Sequence, residues 1–264
     1  MTLTRLLFDL DETLAPDDTL DRALFDELAG EVGARYGIAP ARLVAALDGA
    51  ATSLWDRGEA AAYAMRIGIS PWEGLWGPFE ASDDPMLAAL HRFVPTYRLE
   101  AWTAALAESG LAVDGLAETL AARFAVERHA QQAPYPWSRE VLELLCARYR
   151  LGMITNGAPD LQRLKLAGTG LAAFFDPLVI SGDLGVGKPE PAIFAHALAR
   201  AAASPSETVM IGDSWHRDVA GAVSAGLQAI WINPSGARPP AQHLSAVPVA
   251  ADLRDVPGLL RALG

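Results

Sequence analysis

The sequence predicts an α/β fold: a doubly wound parallel sheet, interrupted once by an inserted all-helical unit. Three observations lead to it. The second half of the chain alternates short apolar runs with helical patterns; a similar apolar run stands apart at residues 3–10; and the long stretch between them, 17–133, shows helical periodicity and no convincing strand.

Leu3, Leu6, Leu7, Phe8 and Leu10 form a run short and apolar enough for the inside of a sheet, so 3–10 is the first strand. In "DRALFDELAGEVGARYG" apolar residues fall at 24, 25, 28 and 32, and Gly37 stops the helix. "SDDPMLAALHRFV" opens with Ser82 or Asp84 as N-cap and Pro85 in the first turn, and "GLAETLAARFAVERHA" continues the helical pattern. The expected division is a core of 1–16 and 134–264 and an insert of 17–133. A unit inserted beside a strand's C-terminal end can cover the crevice where α/β sheets bind ligands, which makes this one a lid candidate. The helix-like "REVLELLCARY" holds the single cysteine, Cys146, expected as a small buried hydrophobe; one cysteine allows no intramolecular disulfide. Strands follow at "RLGMIT" (150–155), "PLVIS" (177–181), "TVMIG" (208–212) and "QAIWI" (228–232). Helices over 158–168, Pro189–Ala202 and Trp215–Ala225 separate them, as right-handed crossovers require. Residues 234–248, with Pro234, Pro239, Pro240 and Pro248, read as a loop.

At 264 residues and 51% hydrophobic, the chain can bury a core and a smaller second unit. Its 32 acidic and 21 basic residues leave a net charge of −11, which argues against nucleic acid as a partner but not against small anions. The longest uncharged run, 219–237, contains Gln228, Asn233 and Pro234, so it is a helix and a strand rather than a membrane span. Asp9 and Asp11 break the only early apolar stretch, so no signal peptide is visible. The expectation is a soluble cytoplasmic protein, monomer or homodimer, with no nucleic-acid or membrane partner. Only two of the 21 basic residues are lysines, Lys165 and Lys188.

Polar residues collect where the strands end. Asp9, Asp11 and Thr13 follow the first; Thr155, Asn156 and Gly157 the second; Lys188 lies beyond the third; Gly212, Asp213, Ser214 and then Asp218 follow the fourth. In a parallel sheet these ends converge on one crevice. Several carboxylates with one lysine and small hydroxyl and amide donors suit Mg²⁺ and a phosphate. Lys188 would offset phosphoryl charge while Thr155 and backbone N–H groups orient it. A carboxylate can attack phosphorus, and a second acid can protonate the leaving oxygen and then activate water. One aspartate of the first pair would then be nucleophile and the other acid–base.

Other patterns compete. "GDLGVGKP" (182–189) fits a P-loop until Pro189, which has neither hydroxyl nor N–H to offer. Ser214, His216 and Asp218 match a triad in composition only; within five residues at a helix start, Ser214 reads as a cap and His216 as solvent-facing. In the insert, Trp55, Arg57, Trp72, Trp76 and Arg98 are candidate substrate contacts, set against the reading that tryptophans join short helices. Glycines and prolines in "GISPWEGLWGP" (68–78) suggest an exposed, shaped specificity loop.

"DLDET", "TNG", "GKPEPAIF" and "GDSWHRDVAGA", in this order, resemble the four motifs of the haloacid dehalogenase superfamily of phosphohydrolases. The resemblance spans the chain and puts the helical insert in the cap position. It implies Asp9 as nucleophile and Asp11 as general acid–base, the latter also lending its backbone carbonyl to Mg²⁺. It further implies Thr155, Asn156 and Lys188 as phosphate binders, Asp9 and Asp213 as metal ligands and Asp218 as the second acid of the metal motif. The activity implied is Mg²⁺-dependent hydrolysis of a small phosphorylated metabolite. A sugar-phosphate mutase remains an alternative, as does a 2-haloacid dehalogenase, although that group has no acid at the Asp11 position. A non-enzymatic phospho-aspartate switch is a third, poorly matched by the large insert. Lys165, in a helical run with no partner motif, is expected to be dispensable.

Overall fold

A computed structural model describes residues 2–239 and 247–263. The chain divides into two compact units, Met1–Pro16 with Ala133–Gly264, and Asp17–Gln132.

The first unit contains β1 (Arg5–Phe8) and, after the insert's six helices α1 to α6, the series α7 (Ser138–Cys146), β2 (Arg150–Thr155), α8 (Pro159–Thr169), β3 (Leu178–Ile180), α9 (Ser181–Leu184), α10 (Pro191–Ala201), β4 (Thr208–Gly212), α11 (Gly221–Ser224), β5 (Gln228–Ile232), β6 (Val249–Ala250) and α12 (Val256–Leu263). The sheet is parallel throughout, in the order β3-β2-β1-β4-β5-β6. Its strands are buried on both faces, and alternate residues divide between two cores. Leu6, Phe8, Met153, Val209, Ile211 and Ile230 pack with Val141 and Leu142 of α7 and Leu260 of α12. Leu7, Ile154, Met210, Ala229 and Trp231 pack with Ile193 and Phe194 of α10.

The structure departs from the sequence reading in four places in this unit. β1 is shorter than 3–10, because the chain turns after Asp9. The expected helix over 215–225 begins as a π-helical turn, Trp215–Ala220, in which the Val219 N–H reaches five residues back to the Ser214 carbonyl. A sixth strand, β6, which the sequence reading lacked, follows directly on the expected loop 234–248, of which 240–246 lie outside the described residues; the Pro248 carbonyl accepts from the Trp231 N–H at 2.9 Å. Cys146 is exposed, because Val141, Leu142 and Leu145 carry the buried face of α7 and Cys146 is its last residue.

The second unit is helical: α1 (Asp18–Tyr36), α2 (Pro40–Trp55), α3 (Ala61–Ile67), α4 (Pro71–Gly74), α5 (Pro85–Glu108) and α6 (Leu116–Ala130). Leu24, Phe25, Leu28 and Val32 form the buried stripe of α1, and Gly37 closes it at φ 75°. Asp84 caps α5 by accepting from the Met86 and Leu87 N–H groups. Residues 68–78 are not an exposed loop. Ser70 and Glu73 form a reciprocal capping box around α4, and Leu75 and Trp76 are buried. The guanidinium of Arg128 lies over the Trp76 ring at 4.3 Å and pairs with Asp17 and Asp21. No helix among the described residues is long and apolar enough to cross a membrane.

Candidate active site

Strand order places the site. From β1 the sheet grows outward through β2 and β3 on one side and through β4, β5 and β6 on the other. The order therefore reverses between β1 and β4, and at such a reversal the crossovers leave opposite faces and open a crevice at the C-terminal strand ends. Asp9 follows β1, Asp213 follows β4 and Thr155 ends β2. The Asp9 N–H still donates to the Ile211 carbonyl at 2.9 Å; beyond it the Leu14 N–H folds back onto the Leu10 carbonyl, and Glu12 takes φ 55°. Strict extension would have stacked the carboxylates of Asp9 and Asp11 on one face. The turn sends each to a different lysine.

Lys188 Nζ lies 2.7 Å from Asp9 Oδ1 and 2.6 Å from Asp218 Oδ1, and all three residues are buried. The lysine is held through its backbone: Asn156 Nδ2 donates to the Lys188 carbonyl at 2.9 Å, and the Lys188 N–H donates to Asn156 Oδ1 at 2.8 Å. Asn156, expected as a phosphate binder, instead spends both ends of its side-chain amide on the Lys188 backbone and so sits behind the lysine. Asp218 reaches the sheet because Gly212 has no Cβ, which would run into that carboxylate; its Oδ2 accepts from the Ser214 N–H at 2.9 Å. Asp213 is fixed by its main chain, its N–H donating to Thr13 Oγ1 at 3.0 Å and its carbonyl accepting from Trp231 Nε1 at 2.7 Å.

Carboxylate oxygens of Asp9, Asp213 and Asp218 lie within 4.8 Å of one another. Burial, then the charges of Asp9 and Asp218, push Asp213 up to about 8, against the opposing pull of Lys188. Burial and Asp9 raise Asp218 to about 6, again opposed by Lys188. Burial works to lower the Lys188 ammonium, yet Asp218 and Asp9 outweigh it and the net shift is upward. One lysine does not balance three carboxylates here. A set of hard oxygen donors with surplus negative charge fits a divalent cation of the Mg²⁺ type.

The Asp11 carboxylate is held elsewhere. Lys165 Nζ lies 3.2 Å from its Oδ1, and Gln162 Nε2 donates to its Oδ2 at 2.9 Å and to Thr155 Oγ1 at 2.6 Å. Lys165 is 2% exposed. The expectation that it is a helix residue without a partner is therefore wrong: it faces inward beside a motif aspartate. Gln162 was missed altogether. Their three-residue spacing on the helix directly after "TNG", and the scarcity of lysine, were the available signals.

Other candidates have structural settings. Ser214 caps the π-helical turn by accepting from the Arg217 N–H, and His216 is exposed. Trp55 packs against Phe79, Phe93 and Tyr97; Trp72 meets Phe25 edge-on; Trp76 carries Arg128. Arg57 is exposed and donates to Ser53 Oγ. Arg98 is spent on the carbonyls of Gly74 and Gly77.

Comparison with known proteins follows the same lines. Residues 4–226 match the family described as haloacid dehalogenase-like hydrolase. The chain is 35% identical over 255 residues to a phosphoserine phosphatase of Thermus thermophilus, covering 95% of this chain and 96% of that protein. It is 40% identical over 101 residues to pyrimidine 5'-nucleotidase YjjG of Escherichia coli, covering 38% of this chain and 45% of that one. Among solved structures, it resembles 2-haloacid dehalogenase from Pseudomonas syringae pv. Tomato DC3000, with a TM-score of 0.59 and 26% identity over the whole of both chains.

Proposed function

The chain belongs to the haloacid dehalogenase-like hydrolase family, and from that premise we propose that it is a Mg²⁺-dependent phosphatase of a small phosphorylated metabolite, working through a phosphorylated Asp9. The observation that carries the reading is the gathering of Asp9, Lys188, Asp213 and Asp218 at the reversal of strand order.

Asp9 attacks phosphorus, and the bond to the leaving oxygen breaks as Asp11 gives that oxygen a proton. Asp11, now a carboxylate, takes a proton from water; the hydroxide attacks the aspartyl phosphate, inorganic phosphate leaves, and Asp9 is regenerated. Lys188 and the Thr155 hydroxyl bind the phosphoryl oxygens, and Asn156 keeps Lys188 in place. Asp9, Asp213 and the Asp11 carbonyl would hold Mg²⁺, with Asp218 beside them, and the bound ion would supply the charge that lets a phosphate approach three carboxylates. The likeness to a dehalogenase extends to the fold, but Asp11 gives this chain the acid–base that phosphoester hydrolysis needs and dehalogenation does not.

The test is a screen of phosphomonoesters with Mg²⁺ and with EDTA. Phosphoserine comes first, because the relative aligned along nearly the whole chain bears that name. EDTA should abolish hydrolysis and Mg²⁺ restore it; full activity in metal-free buffer overturns the metal assignment. In Asp11→Asn, an aryl phosphate should leave phosphate trapped on Asp9, identified by borohydride reduction and mass spectrometry. Phosphate on another residue overturns the mechanism.

A further inference from the structure

The chain has two lysines, both buried, and each pairs with one of the two aspartates of "DLDET". Lys188 belongs to the site above; Lys165 has no role in it. We propose that Lys165 and Gln162 are positioning residues that set the orientation of the Asp11 carboxylate, an inference that rests on the acid–base reading of Asp11.

The geometry divides the work between them. Lys165 takes Oδ1 of Asp11 at 3.2 Å, and Gln162 takes Oδ2 at 2.9 Å. With each oxygen tied to a different residue, the carboxyl plane cannot rotate without losing a bond. An arginine would have taken both oxygens in a single fork, whereas an ammonium is a point charge that occupies one.

Gln162 also joins Asp11 to the phosphate side. Its two amide protons go to Asp11 Oδ2 and Thr155 Oγ1, an arrangement that identifies Nε2, since the amide oxygen would repel the carboxylate. Because Thr155 Oγ1 accepts there, its own proton is directed elsewhere, as a phosphate-binding hydroxyl requires. Room for this reach comes from Gly157 at φ 144°, where a Cβ would stand 2.8 Å from the Gln162 side chain. One face of α8 thereby registers the acid–base against the phosphoryl site.

The experiment uses p-nitrophenyl phosphate, whose leaving group departs without an acid, so that its first step does not need Asp11 while hydrolysis of the aspartyl phosphate does. In Lys165→Met, single-turnover release of p-nitrophenolate should stay within about twofold of wild type. Decay of the acid-trapped phosphoenzyme should slow by about 10- to 100-fold, part of what general acid–base catalysis contributes. Asp11→Asn/Lys165→Met should be no slower than Asp11→Asn alone, within about twofold, because residues acting through one group are not additive. A loosened fold would slow both steps and multiply onto Asp11→Asn, and either result overturns the proposal, as does wild-type decay in Lys165→Met. Gln162→Leu carries the test should Lys165→Met not fold, read by the ratio of the two rates because Gln162 also bonds Thr155: phosphoenzyme decay should slow more than p-nitrophenolate release, and equal slowing overturns the proposal. If Asp11→Asn itself decays at the wild-type rate, the acid–base reading falls and takes this one with it; loss in Asp11→Asn without loss in the other variants defeats this inference alone.

Discussion

Each unit of the chain buries a cation between two aspartates. In the sheet unit Lys188 stands between Asp9 and Asp218; in the helical unit Arg128 stands between Asp17 and Asp21. The surroundings differ. Arg128 is fully committed: Nε to Asp21, Nη2 to the carboxylate and carbonyl of Asp17, Nη1 to the Gln131 carbonyl, and its face to Trp76. A planar fork with five donors suits a joint that is not meant to change. Lys188 has three protons and, among the described residues, two carboxylates to receive them, with a third carboxylate close by in Asp213. The first arrangement closes a structure, and the second leaves room for a ligand.

Four substitutions test the contrast, in decreasing order of effect. Asp9→Asn should bring turnover to the detection limit while the protein stays folded, because in the proposed mechanism no other carboxylate can replace Asp9 as nucleophile; a phosphoenzyme assay should then find no modified residue. Lys188→Ala should lower kcat by about 10²–10³, the cost of one preorganised charge in a shielded site. A loss under tenfold in steady-state kinetics would place the phosphate site elsewhere. Arg128→Met should do the reverse, lowering unfolding free energy by about 3–5 kcal/mol in urea titration through two uncompensated aspartates. Its kcat per folded molecule on a small aryl phosphate should match wild type. The smallest effect is a slope. Asp213 rises from 3.8 to about 8 on folding, so the folded state holds its proton more tightly. Its contribution favours the folded state below pH 4 and is lost as pH climbs through 8, provided metal is absent. The melting temperature of the EDTA-treated protein should fall across that window, and Asp213→Asn should flatten the fall.

The fold was legible where burial wrote it plainly. β2, β4 and β5 are apolar on both faces and fall at the predicted residues, and the stripe of Leu24, Phe25, Leu28 and Val32 marks α1. β6 was not legible, since two residues of pairing leave no periodicity, and neither was the π-helical turn, whose extra residue shifts a hydrogen-bond register rather than a side-chain pattern. Order along the strands likewise collected Asp9, Thr155, Lys188, Asp213 and Asp218 at one end of the sheet. Lys165 was misjudged because its position on α8 depends on how that helix rotates against the turn after β1, and no local pattern encodes a long-range contact between residues 11 and 165.

Both side-chain amines of this protein lie inside it, at 2% and 4% exposure. Amine-directed acylating reagents therefore meet no lysine on the folded surface, where arginine carries the positive charge. Acylation at Lys165 requires local or global unfolding, whereas Lys188 stands where the proposed phosphate would enter. The chain thus contains its own chemical clock: the rate at which the peptide bearing Lys165 gains an acyl group counts local openings, and inorganic phosphate bound at Lys188 should slow acylation of Lys188 directly.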